Sequence, residues 1–360
     1  MKTVLMTGGG SAGHVTPNIA LIDGLKSHGF TVHYAGMKDG IEERLIKAVD
    51  GVTFHEIESG KLRRYISLKT LATPFKVLKG VSQARKLVKE LKPDVVFSKG
   101  GFVSVPVVMA AKGRCPVVCH ESDYTPGLAN RIAGRYADTV CVTFEDTIKL
   151  AKPKAAKKMV HTGTPIRAAL YSGDRQKGLE FMGFSGDKPV LMVMGGSLGA
   201  AAVNDGVRGA LNELTRTFDV VHLCGKGKVD ASVTHAGYVQ FEYVGPELPD
   251  LMAATDVVIS RAGANAVFEF LALGIPALLV PLPLDVSRGD QILNADYVVK
   301  KGYAMKLEQK DVSTETLCAG VNALYANRAI LRERMKSDPL LDGTDEVLEE
   351  ILKAAEHKAK

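Results

Sequence analysis

Several familiar signals are missing from this sequence. No uninterrupted apolar run approaches the roughly 20 residues that cross a bilayer, since the best candidate, Val95 to Ala111, contains Lys99 and two glycines. A membrane-spanning chain is therefore not expected. The opening Met1-Lys2-Thr3-Val4-Leu5-Met6 is cut off by Gly8-Gly9-Gly10 far short of a signal-peptide core, so export is not expected either. The five cysteines (Cys115, Cys119, Cys141, Cys224, Cys318) are odd in number and lack CxxC spacing, which points to buried thiols in a reducing compartment. No DxD triplet and no HxxxH or CxxC cluster marks a metal site. Any diphosphate bound here is then expected to be neutralised by helix ends and arginines.

The 360 residues exceed one ordinary domain and suit two, each large enough to bury a core. A composition of 46% hydrophobic and 24% charged residues argues against disorder or a fibrous repeat. The first half alternates β-branched runs (Thr3 to Thr7, Thr31 to Tyr34, Val95 to Ser98, Pro116 to Cys119, Thr139 to Val142) with amphipathic stretches. That alternation predicts an α/β fold with a parallel sheet and helices on both faces. The second half restarts the scheme: Val190 to Met194 runs into Gly195-Gly196-Ser197-Leu198-Gly199 as the first strand runs into Gly8-Gly9-Gly10-Ser11-Ala12-Gly13. Further strands are expected at Val220 to Leu223, Val239 to Phe241, Val257 to Ile259 and Ala277 to Val280. The pattern is a pseudo-repeat of two Rossmann-like domains, 1–163 and 164–340, joined at Thr162-Gly163-Thr164-Pro165. A cleft between the C-terminal edges of the two sheets is the expected active site.

Gly8, Gly10 and Gly13 match a dinucleotide fingerprint, but the second strand ends in Tyr34-Ala35-Gly36-Met37 with no acid before Asp39 to hold a ribose. NAD or FAD is thus disfavoured. A glycine loop opening a helix still offers backbone amides and a positive dipole end to a phosphate. His14 comes directly after it; a helix dipole there lowers its pKa and suits a neutral general base, although a capping or surface histidine reads equally well. Gly100-Gly101 followed by Phe102 is a second such loop or a plain tight turn. His120-Glu121-Ser122-Asp123 ends a strand, where polar residues are expected to point into the cleft, and Thr125-Pro126 is expected to cap the next helix. In the second half Ser260-Arg261-Ala262-Gly263-Ala264-Asn265-Ala266 passes from strand to helix, with Glu269 able either to take a ribose diol or merely to complement the dipole. Asp290 and Gln291 suit sugar hydroxyls or an ordinary helix start.

The net charge of +6 concentrates between Lys61 and Lys92, where Lys61, Arg63, Arg64, Lys69, Lys76, Lys79, Arg85, Lys86, Lys89 and Lys92 face one acid, Glu90. Thr73-Pro74 opens a helix with a core stripe of Val77, Val81, Ala84, Val88 and Leu91. At about 100° per residue Phe75 falls roughly 160° from Val77, on the outer face with Lys79, Lys86 and Lys89. With Ile66, Leu68 and Leu71 just before it, that face fits an anionic bilayer surface, at about 1 kcal/mol per basic residue, or is simply solvated. Nucleic acid is disfavoured, because stacking aromatics and a recognisable module are absent.

Taken together, Gly9-Gly10-Ser11-Ala12-Gly13-His14-x-x-Pro17, His120-Glu121-Ser122-Asp123 with Pro126-Gly127-Leu128-Ala129-Asn130, Gly195-Gly196-Ser197-Leu198-Gly199-Ala200 and Ser260-Arg261-Ala262-Gly263-Ala264 with Glu269 resemble the MurG family of bacterial glycosyltransferases. The resemblance runs in order from Met1 to about residue 300 and more loosely beyond. It implies a GT-B architecture, two Rossmann-like domains with parallel sheets facing a central cleft, the final helix (about 341–360) returning to the first. It implies inverting, metal-independent transfer of N-acetylglucosamine from UDP-GlcNAc to an undecaprenyl-linked muramyl pentapeptide at the cytoplasmic face of the bacterial cell membrane, where anionic lipid would meet Phe75, Lys79 and Lys86. Carried over by motif, Ser11, Ala12, Gly13, Asp123, Arg167, Ser197, Val244, the run Ala264, Asn265, Ala266, Val267, Phe268 and Glu269, and Gln291 would bind the sugar nucleotide. Gly9, Gly10, Gly100 and Gly101 would face the acceptor diphosphate, with His14 as the base that takes the proton of the muramyl O4 hydroxyl. Asp123, Phe102 and Asp290 depart from the residues common in the family. A diacylglycerol-type lipid glycosyltransferase and a nucleotide-sugar 2-epimerase are the alternative activities.

Overall fold

Strands buried on both faces need apolar side chains in every position, and the valine-rich runs of this chain meet that need in two separate sheets. The computed structural model describes residues 2–60, 73–196 and 199–357, with the side chains of residues 73–75 and 357 outside that description. The chain divides into one unit of Met1–Arg167 with Asp342–Lys360 and a second of Ala168–Leu341.

In the first unit β1 (Lys2–Thr7), β2 (Phe30–Gly36), β3 (Val52–Glu56), β4 (Val95–Ser98), β5 (Val117–Glu121), β6 (Thr139–Val142) and β7 (Met159–His161) form an all-parallel sheet in the order β3-β2-β1-β4-β5-β6-β7. The second unit repeats the winding with β8 (Val190–Met194), β9 (Asp219–Leu223), β10 (Tyr238–Phe241), β11 (Val257–Ser260), β12 (Ala277–Leu279) and β13 (Ala304–Lys306), in the order β10-β9-β8-β11-β12-β13. In each sheet the direction of winding reverses beside the first strand. This opens a crevice at the carboxyl ends of β1 and β4, and of β8 and β11, where α/β proteins hold ligands.

The period of two along β1 sorts its side chains between two cores. Val4 and Met6 pack with Leu21, Ile22 and Leu25 of the helix Thr16–Ser27 and with Val347, Leu348 and Ile351 of the last helix, Thr344–His357. Leu5 packs with Ala84 and Val88 of the helix Thr73–Leu91 and with Val107 and Val108 of the helix Ser104–Ala111. Each large apolar side chain so buried contributes about 1.5–3 kcal/mol. The last helix sits against Gly24, where a Cβ would lie 2.8 Å from Leu348 Cδ2. It is tied at its start by Thr344 Oγ1 accepting from Ile166 N at 2.9 Å.

Three strands lack the expected signal: β3 and β7 are partly exposed sheet-edge strands, and β13 is a three-residue edge strand. Two local expectations are corrected. β5 does not stop at Cys119 but runs through His120 and Glu121, and the following helix, Leu128–Tyr136, takes Gly127 as its N-cap in place of Thr125. The stretch Thr162 to Pro165 is buried inside the first unit, because Gly163 O and Thr164 O pair with His120 Nε2 and Gly343 N. Cys115, Cys119, Cys141 and Cys224 are buried thiols.

Candidate active site

The loop leaving β1 is pinned from beneath. Tyr34 OH, itself fully buried, donates to Gly8 O at 2.7 Å; Asn18 Nδ2 donates to Tyr34 OH at 2.9 Å and to His14 O at 3.2 Å. The loop after β4 lies directly against it, with Gly9 N donating to Gly100 O at 3.3 Å. Gly100 and Gly101 have φ of +101° and +81°, and a Cβ on them would strike the Asn130 side chain and Gly9 O respectively. Glycine is required there both for the left-handed backbone and for the close approach. The first two loops are thus one structural feature at the β1/β4 crevice.

The expectation that the first loop holds its amides open for a phosphate is corrected in part. Gly9 N is taken by Gly100 O, and Gly10 N donates to the carboxylate of Glu42 at 3.1 Å. The chain then makes a single turn of 3-10 helix, Ala12–His14, with Ser11 exposed and Ala12, Gly13 and His14 partly exposed.

His14 ends that turn, its Nδ1 3.0 Å from Ser11 Oγ. Its pKa is lowered to about 4, first by burial and second by the charge of Lys99, against a hydrogen bond with the Gly9 backbone. The direction agrees with a neutral base near pH 7, but desolvation and a neighbouring cation are its causes, where the sequence suggested a helix dipole. Lys99 is fully buried at the end of β4 and donates to Ser122 Oγ. Burial pulls its pKa down while Glu121 and Asp123 hold it up.

His120, Glu121 and Ser122 do not line an open crevice as their position at a strand end suggested. His120 is fully buried with Nε2 2.9 Å from Gly163 O. The Glu121 carboxylate accepts from Asp123 N (3.0 Å), Gly127 N (3.2 Å) and Asn130 Nδ2 (2.9 Å). These residues shape the turn that presents Asp123, which is partly exposed.

In the second unit the loop after β8 contains Gly196 (φ +88°) and Gly199 (φ +71°), closed by Gly199 N donating to Gly196 O at 2.9 Å. It leads into the helix Ala201–Gly209. Ser197 lies outside the described residues, as do residues 61–72 and the side chain of Phe75. After β11, Arg261 is buried and donates to Val280 O at 3.0 Å and Gln309 Oε1 at 2.6 Å, so its guanidinium braces the sheet edge. Gly263 caps the helix Ala264–Ala272, and buried Asn294 donates to Ala262 O at 3.1 Å. Along that helix Ala264, Val267 and Phe268 are turned into the core, and Val244 is likewise buried. Asn265, Ala266 and Glu269 form the partly exposed face. Gln291 Oε1 accepts from Leu282 N at 3.0 Å, and Asp290 lies 3.5 Å from Arg288. Arg167 is partly exposed.

Sequence reasoning passed over Lys99 and Glu42. Lys99 carried a signal, a lone cation in an apolar run just ahead of a glycine pair. Glu42 carried none, because the amides it accepts from, Gly10 N and Met37 N, are backbone groups with no residue-type signature.

On the helix Thr73–Leu91, Val81, Ala84 and Val88 are buried as the stripe implied, while Val77 and Leu91 are only partly so. Lys79 and Lys86 are exposed, Lys79 pairing with Glu58 and Lys86 lying 3.8 Å from Glu90; Leu78 beside them is 66% exposed. Among the described residues no helix is long and apolar enough to cross a membrane, and no cluster of three metal-ligating side chains occurs.

Residues 4–142 match the glycosyltransferase family 28 N-terminal domain and residues 190–351 its C-terminal domain. The chain is 53% identical over 350 residues to the UDP-N-acetylglucosamine–N-acetylmuramyl-(pentapeptide) pyrophosphoryl-undecaprenol N-acetylglucosamine transferase of Lachnoclostridium phytofermentans, covering 97% of this chain and 98% of that one. It is 50% identical to the protein of the same name from Clostridium tetani, covering 98% of each. Among solved structures it is similar to Acinetobacter baumannii MurG, with 26% identity, a TM-score of 0.75, and 98% and 100% of the two chains covered. A putative UDP-N-acetylglucosamine 2-epimerase from Listeria monocytogenes shares the fold at 13% identity and a TM-score of 0.70. The two parallel-sheet units are those of a GT-B enzyme, and the chain belongs to glycosyltransferase family 28.

Proposed function

We propose that this chain transfers N-acetylglucosamine from UDP-GlcNAc, with inversion, to the O4 hydroxyl of undecaprenyl-diphospho-N-acetylmuramoyl-pentapeptide, the lipid I to lipid II step of peptidoglycan synthesis. The observation that carries this reading is 53% identity, sustained over 97% of the chain, to a transferase named for that reaction. The geometry supports it with a histidine held neutral, its ring carried by a pinned loop at a sheet's carboxyl edge.

In the proposed step the O4–C1 bond forms as the bond from C1 to the UDP oxygen breaks. The hydroxyl proton passes to His14 and the electron pair leaves with UDP. In the second unit Asn265, Ala266, Glu269 and Gln291 are assigned to UDP-GlcNAc, and the amide ends of the helices beginning at Ala201 and Ala264 meet the charge that develops on the leaving diphosphate. In the first unit the joined loops of Gly9, Gly10, Gly100 and Gly101 face the acceptor diphosphate. The exposed lysines of the helix Thr73–Leu91, with Leu78, meet anionic lipid at the cytoplasmic face of the membrane.

The test is UDP release by the purified protein from UDP-GlcNAc with the lipid-linked muramyl acceptor. Release dependent on that acceptor is expected. Release with a diacylglycerol acceptor alone, or an isomerised sugar nucleotide formed without any acceptor, would overturn the reading in favour of a different lipid transferase or an epimerase.

A further inference from the structure

Glu42 is a carboxylate with no exposed surface, carried on the short helix Ile41–Ile46 behind the first loop. Its two oxygens accept from two backbone amides remote from one another in sequence: Gly10 N on Oε2 and Met37 N on Oε1, each at 3.1 Å. Three glycines make room for it. A Cβ on Gly9 would strike the carboxylate; one on Gly36 would lie 2.7 Å from Glu42 Cγ, and one on Gly40 2.7 Å from its Cδ. Burying a carboxylate is costly unless hydrogen bonds satisfy it, so the chain keeps this one for what it holds.

What it holds is the residue next to Ser11. Ser11 Oγ lies 3.0 Å from His14 Nδ1, and His14 N donates to Ser11 O at 3.1 Å. The connection runs from Glu42 through the Gly10 amide and Ser11 to the imidazole. We propose that Glu42 is the positioning residue for His14, clamping the β1 loop to the end of β2 so that the ring keeps one orientation toward the reacting hydroxyl. This rests on the transfer reaction proposed above. The first acid buried after β2 is thus engaged by backbone amides of the chain itself, Gly10 N and Met37 N.

Glu42→Gln keeps the size and replaces one acceptor by an NH2 group that faces an N–H donor, which releases either Gly10 or Met37. Misplacement of a catalytic group by about 1 Å costs on the order of 10²-fold in rate. The full-length variant, verified as folded by its circular dichroism and melting curve, is compared with wild type for kcat, for KM of UDP-GlcNAc, and for amide exchange by mass spectrometry over peptides covering the first unit, including Gly8 to Val15 and the Met37 turn. The expected result is a kcat lower by about 10- to 10²-fold, an unchanged KM for UDP-GlcNAc, and faster exchange confined to that loop and the Met37 turn. A folded variant with wild-type kcat overturns the proposal. So does a loss of kcat accompanied by uniformly faster exchange throughout the first unit, which is the mark of a merely structural carboxylate. Wild-type activity is the control for the reaction itself: no transfer by the wild type would refute the functional reading, while the exchange pattern would still report on the clamp.

Discussion

Replacing Lys99 by methionine removes a buried charge at nearly constant volume and should move the acid limb of the pH–rate profile. His14 is lowered from 6.5 to about 4, a difference of about 2.5 pH units, or about 3 kcal/mol between neutral and protonated rings at 1.36 kcal/mol per unit. Burial is the larger cause and Lys99 the second, so the lysine accounts for the smaller part. The sign follows from the charge: an ammonium disfavours a second cation nearby, so its removal raises the His14 pKa toward 6.5. The general base must be neutral, and in wild type it stays neutral down to about pH 4. In Lys99→Met the fall in kcat/KM should therefore begin at a higher pH than in wild type, with little change near pH 7 from this cause. Lys99, although burial pulls it down, stays protonated across the acidic range in wild type, so one charge state is compared with none. The assay is UDP release at subsaturating acceptor between about pH 3.5 and 8, on protein whose circular dichroism matches wild type at each pH. A folded variant whose acid limb overlays that of wild type would refute the reasoning, because Lys99 would then have no electrostatic hold on the base.

His14→Ala should lower kcat by about 10²- to 10⁴-fold while UDP binding, measured by calorimetry, stays as in wild type; undiminished turnover would remove His14 from the mechanism. Gly101→Ala places a Cβ against Gly9 O at a φ of +81°, so a stability loss of about 1–3 kcal/mol is expected, read as a lower denaturant midpoint. Asn18→Leu leaves Tyr34 OH and His14 O without a buried donor. It should cost about 1–3 kcal/mol, and a neutral result in urea unfolding would show that the pinning is dispensable. Lys79→Glu with Lys86→Glu should weaken sedimentation with anionic vesicles by about 1 kcal/mol or more per residue without shifting the melting temperature; unchanged binding would assign the membrane role elsewhere.

Much of the architecture could be read from residue order. The strand cores of β1, β4, β6, β8 and β11 announce themselves because a strand covered on both faces must be apolar throughout, and the glycines after them mark the turns. β3 and β7 were hidden for the converse reason: a half-covered edge strand carries polar residues such as Thr53, His55 and His161 and loses the apolar signature. At the candidate site, residue type singled out His14 and the glycine loops, which the structure brings together at the end of β1 and β4. It misjudged His120 and Glu121, because a polar residue at a strand end looks the same whether it meets solvent or a buried carbonyl.

The division follows from the range of the forces involved. Hydrophobic periodicity and turn chemistry act over a few neighbours, so the doubled α/β pattern, the loop positions and the family motifs were determined by the sequence itself. Burial, hydrogen-bond satisfaction and the field at a titrating ring depend on groups far apart along the chain. Only the tertiary structure decided that Lys99 sits close enough to act on His14, that Glu42 takes the Gly10 amide, that Val267 and Phe268 face the core, and that Arg261 braces a sheet edge.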